Sequence, residues 1–335
     1  MSTPRDRSAL GGRASLLGAL AAGVLTLGSL TALSAPPAAA GDLCHITPDT
    51  SRGVNVLTAP VRFVNVPGAR LGYRAAGRGT PIVLIPGSSN TMAEWDSRLL
   101  NRLATKHRVI IFDNRGTGTS TGKVDHLTVA LMSRDTSALI AQVACGRADV
   151  LGWSMGGYVA QQLAIDFPGR VSRLVLASTN PGSPSTSPPT PAALKVLTNP
   201  NATQAQRMSI LFPPNQQAAA ARWTANIGAS FAANHYQPYN SFTIPPATAT
   251  AQVTAAGTLW LGPGKGVLNK LNRIHQPVLI AAGRLDIVSP IANAGLLAGR
   301  LPQAKSVIYT DAGHAFLFQY PDGFGKRVNA FLSGC

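Results

Sequence analysis

Apolar and polar positions follow a strand–helix–strand order in the first half of the chain. Short continuous apolar runs are typical of strands buried on both faces, and they cover residues 82–85, 109–112, 150–153 and 171–177. Helical patterns separate these runs, and the apolar stretches around Pro67-Gly68 predict an antiparallel hairpin before them. Because strands that alternate with helices through short links pair in parallel, the pattern predicts a mostly parallel central sheet with helices on both faces.

The pattern changes at residue 180. Residues 180–191 are mostly Pro, Ser, Thr and Gly, and the chain from there to residue 266 is Ala/Gln/Asn-rich with helical patches. Apolar runs return at 277–282 and 306–309. We therefore predict a core domain in two parts, residues 41–179 and 267–335, and an inserted helical lid over residues 180–266. A disordered linker between two domains is the less favoured alternative, because the same strand–helix order resumes afterwards.

The first forty residues have the composition of a targeting segment. Three arginines precede an apolar run over residues 16–33, and Ala38-Ala39-Ala40 offers small residues for cleavage before Gly41. We predict a signal peptide over residues 1–40 and a secreted or cell-envelope protein after its removal. A retained membrane anchor is the alternative, because the apolar run is long enough to span a bilayer.

Composition and charge restrict the classes of protein and of partner. Hydrophobic residues make up 45% of the 335 residues and charged residues 13%, a balance that excludes a disordered chain. The net charge of +16 comes from basic residues scattered singly, without a basic block or a nucleic-acid motif. We therefore expect no nucleic-acid partner. Weak association with an anionic cell envelope is the remaining consequence of this charge.

Three cysteines, Cys44, Cys145 and Cys335, follow the predicted cleavage site, so at most one disulfide can form within a chain. We predict a Cys44–Cys335 pair, because the two ends of a domain are often close together on its surface. Cys145 stands at the end of a predicted helix before a buried strand, and we expect it to be a buried thiol. None of the three has a partner at metal-ligand spacing, so no metal site is predicted.

A serine motif marks the candidate nucleophile. Gly152-Trp153-Ser154-Met155-Gly156 fits the G-x-S-x-G pattern and lies between a predicted strand and a predicted helix. Serine is a weak nucleophile unless a base accepts its proton and its hydroxyl stands clear of the backbone. A sharp strand-to-helix turn exposes the hydroxyl, and glycine on either side permits the close packing of that turn. We predict that Ser154 is the catalytic nucleophile.

Two loops after later strands supply a candidate acid and a candidate base. Asp286 follows the apolar run 277–282, and His314 follows the last predicted strand. The carboxyl ends of parallel strands lie at one edge of a sheet, so both side chains should reach Ser154. Histidine titrates near neutrality and suits a general base, and a carboxylate fixes its tautomer. We predict His314 as the base and Asp286 as the acid. Asp311 is the alternative acid, but we expect it to hold the turn before His314.

Residues 60–333 resemble the α/β-hydrolase superfamily, in particular its esterases, lipases and cofactor-free haloperoxidases. The resemblance rests on the serine motif, on the later Asp and His, and on two loops, Leu84-Ile85-Pro86-Gly87-Ser88-Ser89 and Phe112-Asp113-Asn114-Arg115-Gly116. It implies the α/β-hydrolase fold and an oxyanion hole made by the backbone N–H groups of Ser88 and Met155. The family often has His-Gly where this chain has Pro86-Gly87, but backbone donors do not need that histidine.

These observations predict hydrolysis of a small-molecule or lipid ester through an acyl-serine intermediate. We expect the lid to set the preferred chain length without contributing to the chemical step. Serine at the turn argues against the epoxide hydrolases and haloalkane dehalogenases of the superfamily, which have Asp there. A perhydrolase or acyltransferase with the same triad, and a non-catalytic binding protein on this scaffold, are the alternatives. No cofactor is expected, because the chain has no phosphate-binding glycine loop.

Overall fold

A computed structural model describes residues 55–182, 185–199, 201–233, 244–262 and 264–334. The predicted signal peptide, Cys44 and Cys335 lie outside these ranges. Each helix within the ranges is too short or too polar to cross a lipid bilayer.

The described residues form one sheet of eight strands, and the strand bounds are β1 (Arg62–Val66), β2 (Ala69–Ala76), β3 (Pro81–Ile85), β4 (Arg108–Phe112), β5 (Ala148–Trp153), β6 (Val171–Ala177), β7 (Val278–Gly283) and β8 (Lys305–Tyr309). They lie in the order β1-β2-β4-β3-β5-β6-β7-β8. β1 pairs antiparallel with β2, β2 pairs antiparallel with β4, and the other five pairings are parallel. The predicted hairpin and the mostly parallel sheet are confirmed.

Helices cover both faces of the sheet, and the alternation within each strand divides the core into two clusters. In β3, Val83 and Ile85 face one cluster, whereas Ile82 and Leu84 face the other. The first cluster is closed by α2 (Val129–Val143), α3 (Met155–Asp166) and α8 (Ala292–Arg300), and the second by α1 (Ser97–Ala104), α9 (Phe316–Gln319) and α10 (Pro321–Leu332). This two-sided burial explains why the sequences of the central strands β3, β4, β5 and β7 are almost continuously apolar.

Two helical patterns of the sequence, over residues 91–104 and 316–332, each predict one helix, and the structure interrupts both for identifiable reasons. The helical pattern over 91–104 contains a 3-10 turn at Met92–Glu94, and α1 begins only after Asp96, whose carboxylate caps it by accepting from the N–H groups of the first turn. The pattern over 316–332 divides at Tyr320 because Pro321 lacks an N–H group and starts α10.

In the described ranges between β6 and β7, the structure has four α-helices, which are α4 (Pro191–Leu197), α5 (Gln204–Leu211), α6 (Gln217–Ala233) and α7 (Pro246–Gly257). We call residues 180–266 the inserted segment. Trp223 of α6 fixes it to the core, because its Nε1 donates to Glu94 O at 2.8 Å and its ring stacks on Phe318 at 4.7 Å. These are the helical patches of the sequence, although the bounds at 180 and 266 remain predictions.

Cys145 corrects the cysteine prediction. It is disulfide-bonded rather than a free thiol, and it is exposed rather than buried. It follows the end of α2 in a positive-φ turn (φ 54°) that directs the chain back into β5. The chain has three cysteines, so a disulfide at Cys145 is incompatible with the predicted Cys44–Cys335 pair, whose two residues lie outside the described ranges.

Candidate active site

Ser154 occupies the sharp turn between β5 and α3. Its backbone has φ 55° and ψ −123°, a conformation that serine rarely adopts and that costs on the order of 1–3 kcal/mol. Three hydrogen bonds hold the turn: Ser154 N donates to Ala177 O at 2.9 Å, and Ser154 O accepts from Gly157 N and Thr179 Oγ1, both at 2.8 Å. The side chain is half-buried, so the hydroxyl is accessible at the carboxyl edge of the sheet.

The glycines of the serine motif are required by close backbone contacts. A Cβ on Gly156 would lie 2.1 Å from Ile85 O, and a Cβ on Gly152 would lie 2.3 Å from Gly156 O. A Cβ on Gly157 would approach Thr179 Oγ1 to 2.4 Å. Larger residues would therefore push α3 away from β3 and β5, and the turn could not form in this shape.

His314 connects Ser154 to Asp286. Its Nε2 lies 2.9 Å from Ser154 Oγ, and its Nδ1 lies 2.8 Å from Asp286 Oδ2. The other Asp286 oxygen accepts from the N–H groups of Val288 and Ser289 at 2.8 and 2.7 Å. Because a carboxylate can only accept, Nδ1 carries the proton and Nε2 is left to accept from the serine hydroxyl. The histidine and the aspartate are both buried.

The loops after β7 and β8 are packed together, which explains how residues distant in sequence meet. A Cβ on Gly283 would lie 2.3 Å from both Ala312 O and Gly313 O, and Leu285 N donates to Ala312 O at 2.9 Å. Trp153, next to the serine, donates from Nε1 to His314 O at 3.1 Å. The imidazole is therefore held by its own loop and by the serine turn.

Asp311 does not contact the imidazole through its carboxylate. It is exposed, and its Oδ2 accepts from Tyr320 OH and from Gln216 Nε2, the latter at 3.2 Å. The hydrogen bond to the Asp311 carboxylate raises the pKa of Tyr320. Of the two candidate acids, the structure brings only Asp286 to His314.

The two amides predicted for the oxyanion hole lie on adjoining elements. Met155 is the first residue of α3, where an N–H group has no intrahelical acceptor. Ser88 lies in the loop that follows β3. This loop passes over the start of α3, since Gly156 of α3 packs against Ile85 O and Pro86 O. Within the described residues, neither amide donates a hydrogen bond.

A cavity of about 80 Å³ opens beside Ser88 between the core and the inserted segment. Its core wall consists of Ser88, Ser89, Asn90 and Glu94. Burial raises the pKa of Glu94 to about 7, although hydrogen bonds from Thr91 and Asn90 oppose the shift. Reasoning from sequence missed this carboxyl group. The Thr91-x-x-Glu94 spacing is a capping-box signal, which indicates a helix start but not its burial beside a cavity.

The inserted segment supplies the opposite wall of this cavity, including Met208, Leu211 and Trp223. Among the other apolar residues of the inserted segment, Phe212 lines a second cavity beside Asp286. Trp260 stacks on Tyr158 with ring centroids 5.0 Å apart, and Phe231 packs against the core. No group of three His, Cys, Asp or Glu side chains in the described ranges is placed to hold a metal ion.

Comparison with known proteins identifies the family. The family model for the alpha/beta hydrolase fold matches residues 80–321. The chain therefore belongs to the alpha/beta hydrolase fold family, a family of hydrolases, and the expected fold is confirmed.

Individual relatives are distant but similar over most of their length. A putative carbamate hydrolase of Azorhizobium caulinodans is 27% identical over 266 residues, which span 78% of this chain and 95% of that protein. A pimeloyl-(acyl-carrier protein) methyl ester esterase of Nitrosomonas europaea is 28% identical over 271 residues, 78% of this chain and 99% of that protein. Among solved structures, an alpha/beta hydrolase fold protein of Chitinophaga pinensis has a TM-score of 0.71 at 23% identity, covering 83% of this chain and 98% of its own. At that identity the likeness shows the fold alone.

Proposed function

We propose that the protein is an exported serine hydrolase that cleaves carboxylic esters through an acyl-serine intermediate on Ser154. The observation that supports this most directly is the hydrogen-bonded series from Ser154 Oγ through the His314 ring to Asp286 Oδ2. The relatives add support, since two of them are named for hydrolysis of a carbamate and of a methyl ester.

Acylation begins when Ser154 Oγ attacks the ester carbonyl carbon and its proton passes to His314 Nε2. Asp286 holds the imidazole in the required tautomer and stabilises the imidazolium that forms. When the tetrahedral intermediate collapses, the C–O bond to the alcohol breaks and Nε2 returns the proton to the departing oxygen. Water then attacks the acyl-serine with His314 again as base, and release of the carboxylic acid restores Ser154.

The negative charge on the tetrahedral oxygen requires donors that are already in place. We assign this role to the Ser88 and Met155 amides, since neither donates to another residue in the part of the chain that the structure describes, and they lie after the end of β3 and at the start of α3. The N-terminal end of a helix also attracts negative charge. Removing one such donor typically reduces kcat by about 10²- to 10³-fold.

We propose that residues 180–266 act as a lid that shapes the acyl site. The cavity of about 80 Å³ beside Ser88 supports this, because Met208, Leu211 and Trp223 form one of its walls. A cavity of this size favours short acyl groups. Small-molecule esters are thus preferred over long lipid esters as candidate substrates.

We also propose export. The N-terminal composition and the disulfide at Cys145 support it, because disulfides persist in oxidising compartments. Removal of residues 1–40 takes away three Arg and one Asp and lowers the net charge from +16 to +14, and weak binding of the basic surface to an anionic envelope would follow from this charge. Sequencing the protein recovered outside the cell should give Gly41 as the first residue, and retention of residues 16–33 would contradict cleavage.

The decisive test of the chemistry is Ser154→Ala. It should abolish both the hydrolysis of p-nitrophenyl acetate and the labelling by a fluorophosphonate probe, while the far-UV circular dichroism spectrum stays unchanged. Losing the nucleophile of a triad costs several orders of magnitude in kcat. Activity within about tenfold of the wild-type protein would end the assignment. Product analysis with added alcohol or hydrogen peroxide separates hydrolysis from acyl transfer and perhydrolysis.

A further inference from the structure

Three amides of the loop that follows β3 donate to buried side chains, whereas the Ser88 amide donates to no acceptor among the described residues. Ser89 N donates to Gln252 Oε1 at 2.7 Å, Thr91 N donates to Glu94 Oε1 at 3.0 Å, and Met92 N donates to Asp113 Oδ1 at 2.7 Å. Three side chains thus fix this loop by accepting from its backbone. Two of them belong to the core, but Gln252 belongs to α7 of the inserted segment.

The Gln252 bond is made at the most strained point of the loop. Ser89 has φ 60°, a value that non-glycine residues rarely adopt and that persists only where neighbouring contacts enforce it. Ser88 and Ser89 share a peptide bond, so a rotation of the backbone at Ser89 changes the position of the Ser88 N–H group as well. The acceptor on Gln252 is therefore one residue away from the proposed oxyanion donor.

Gln252 is an unfavourable residue at this position if its role is packing alone. It is fully buried, and its Nε2 group has no acceptor among the described residues. A buried hydrogen-bond donor without an acceptor lowers the free energy of unfolding, and an apolar side chain of the same shape would not carry this penalty. The favourable part of the side chain is Oε1, which holds the Ser89 amide.

From these observations we infer that Gln252 is a positioning residue for the oxyanion hole. It holds Ser89 in its strained conformation and thereby directs the Ser88 amide toward the tetrahedral oxygen. The inference rests on the proposed ester hydrolysis, and it revises the expectation that residues 180–266 contribute nothing to the chemical step. The inserted segment would then control the rate as well as the substrate.

The test is Gln252→Met, which keeps the length of the side chain and removes the acceptor. We expect kcat for p-nitrophenyl acetate to fall about 10- to 100-fold, because a misplaced oxyanion donor is nearly as harmful as a missing one. KM should change less than about threefold, since the ground-state ester makes little use of the hole. The Tm should stay within about 4 °C of the wild-type value, because the lost bond is offset by removal of the unpaired Nε2 group.

Thr248→Val is the matched control on the same helix. Thr248 is one turn earlier in α7, is equally buried, and donates from Oγ1 to Gly116 O at 2.9 Å, away from the Ser88 loop. This variant should perturb the docking of α7 to a similar extent and leave kcat within about twofold of the wild-type value.

The inhibition constant of an alkylboronic acid provides a second readout, which a non-specific loss of packing in the inserted segment would not change. The boronic acid bonds to Ser154 Oγ as a tetrahedral anion and places one oxygen in the hole. Across the variants its Ki should therefore rise in proportion to the loss in kcat/KM. If Gln252→Met matches Thr248→Val in kcat and in boronate affinity, while Ser154→Ala is inactive, the inference on Gln252 is wrong and the proposed function stands. If Ser154→Ala retains activity, the proposed function itself fails.

Discussion

Asp286 and Asp311 form a matched pair of carboxylates, because both follow strands near the site but only Asp286 bonds to His314. The Asp286 carboxylate accepts from His314 Nδ1 at 2.8 Å and from two backbone N–H groups at 2.8 and 2.7 Å. In Asp286→Asn the single remaining oxygen faces those two N–H groups, and the new NH₂ group faces Nδ1. Because NH₂ can only donate, the imidazole must carry its proton on Nε2, where it can no longer accept from Ser154.

The expected loss follows from this reversal of the tautomer. A triad whose histidine is fixed in the wrong tautomer loses about 10⁴-fold in kcat, or about 5 kcal/mol of transition-state stabilisation. Asp311→Asn instead weakens two hydrogen bonds at an exposed position, to Tyr320 and Gln216. We expect it to leave kcat/KM within about twofold and to cost about 1 kcal/mol in the free energy of unfolding.

The assay for this pair is hydrolysis of p-nitrophenyl acetate by each variant at pH 8, with thermal unfolding as the check on folding. Both variants should unfold cooperatively with a Tm close to that of the wild-type protein. A larger loss of kcat/KM in Asp311→Asn than in Asp286→Asn would refute the assignment of the acid, as would a loss below about tenfold in Asp286→Asn.

Two further predictions concern the pH dependence of stability and the acyl site. Burial raises the pKa of Asp149 from 3.8 to about 6. The free energy of unfolding should therefore fall by about 3 kcal/mol as the pH rises from 4 to above 6, because the buried carboxyl group must ionise. Asp149→Asn should raise the free energy of unfolding at pH 8 but not at pH 3.5. Equal effects at the two pH values in urea titrations would show that this carboxyl group is not the cause. Met208→Ala or Leu211→Ala should enlarge the cavity beside Ser88 and raise the octanoate-to-acetate ratio of kcat/KM about three- to tenfold. Phe231→Ala, outside this cavity wall, is the control, and a ratio that stays constant in all three variants would contradict the role of the lid.

The fold was predictable from sequence because the core strands are buried on both faces and therefore almost continuously apolar. The same regularity located Ser154 and Asp286, since each lies shortly after such a strand, whereas His314 follows the edge strand β8, whose residues are exposed or half-buried. The last helical pattern, over residues 316–332, predicts one helix, and the structure divides it at Tyr320 before Pro321. Local pattern was sufficient wherever the residues that interact are close in the chain or share one edge of the sheet.

The features that sequence missed depend on contacts between distant residues. Ser89 and Gln252 are 163 positions apart, and an isolated glutamine in an Ala/Thr-rich helix gives no signal that it will be buried against another loop. The disulfide at Cys145 was missed because the choice among three pairings depends on where the chain ends lie. Glu94 was identifiable as a helix cap, but its raised pKa comes from burial under the inserted segment.

The four tryptophans of the chain all lie where the inserted segment meets the core. Trp95 and Trp153 are on the core side, Trp223 contacts the same aromatic cluster from α6, and Trp260 stacks on Tyr158 of α3. All four are buried. The tryptophan fluorescence of the folded protein therefore originates entirely from the contacts between the inserted segment and the core. Emission would shift to longer wavelength as soon as the inserted segment separates from the sheet, so the enzyme contains its own optical reporter of opening, and no label is needed to follow it during turnover.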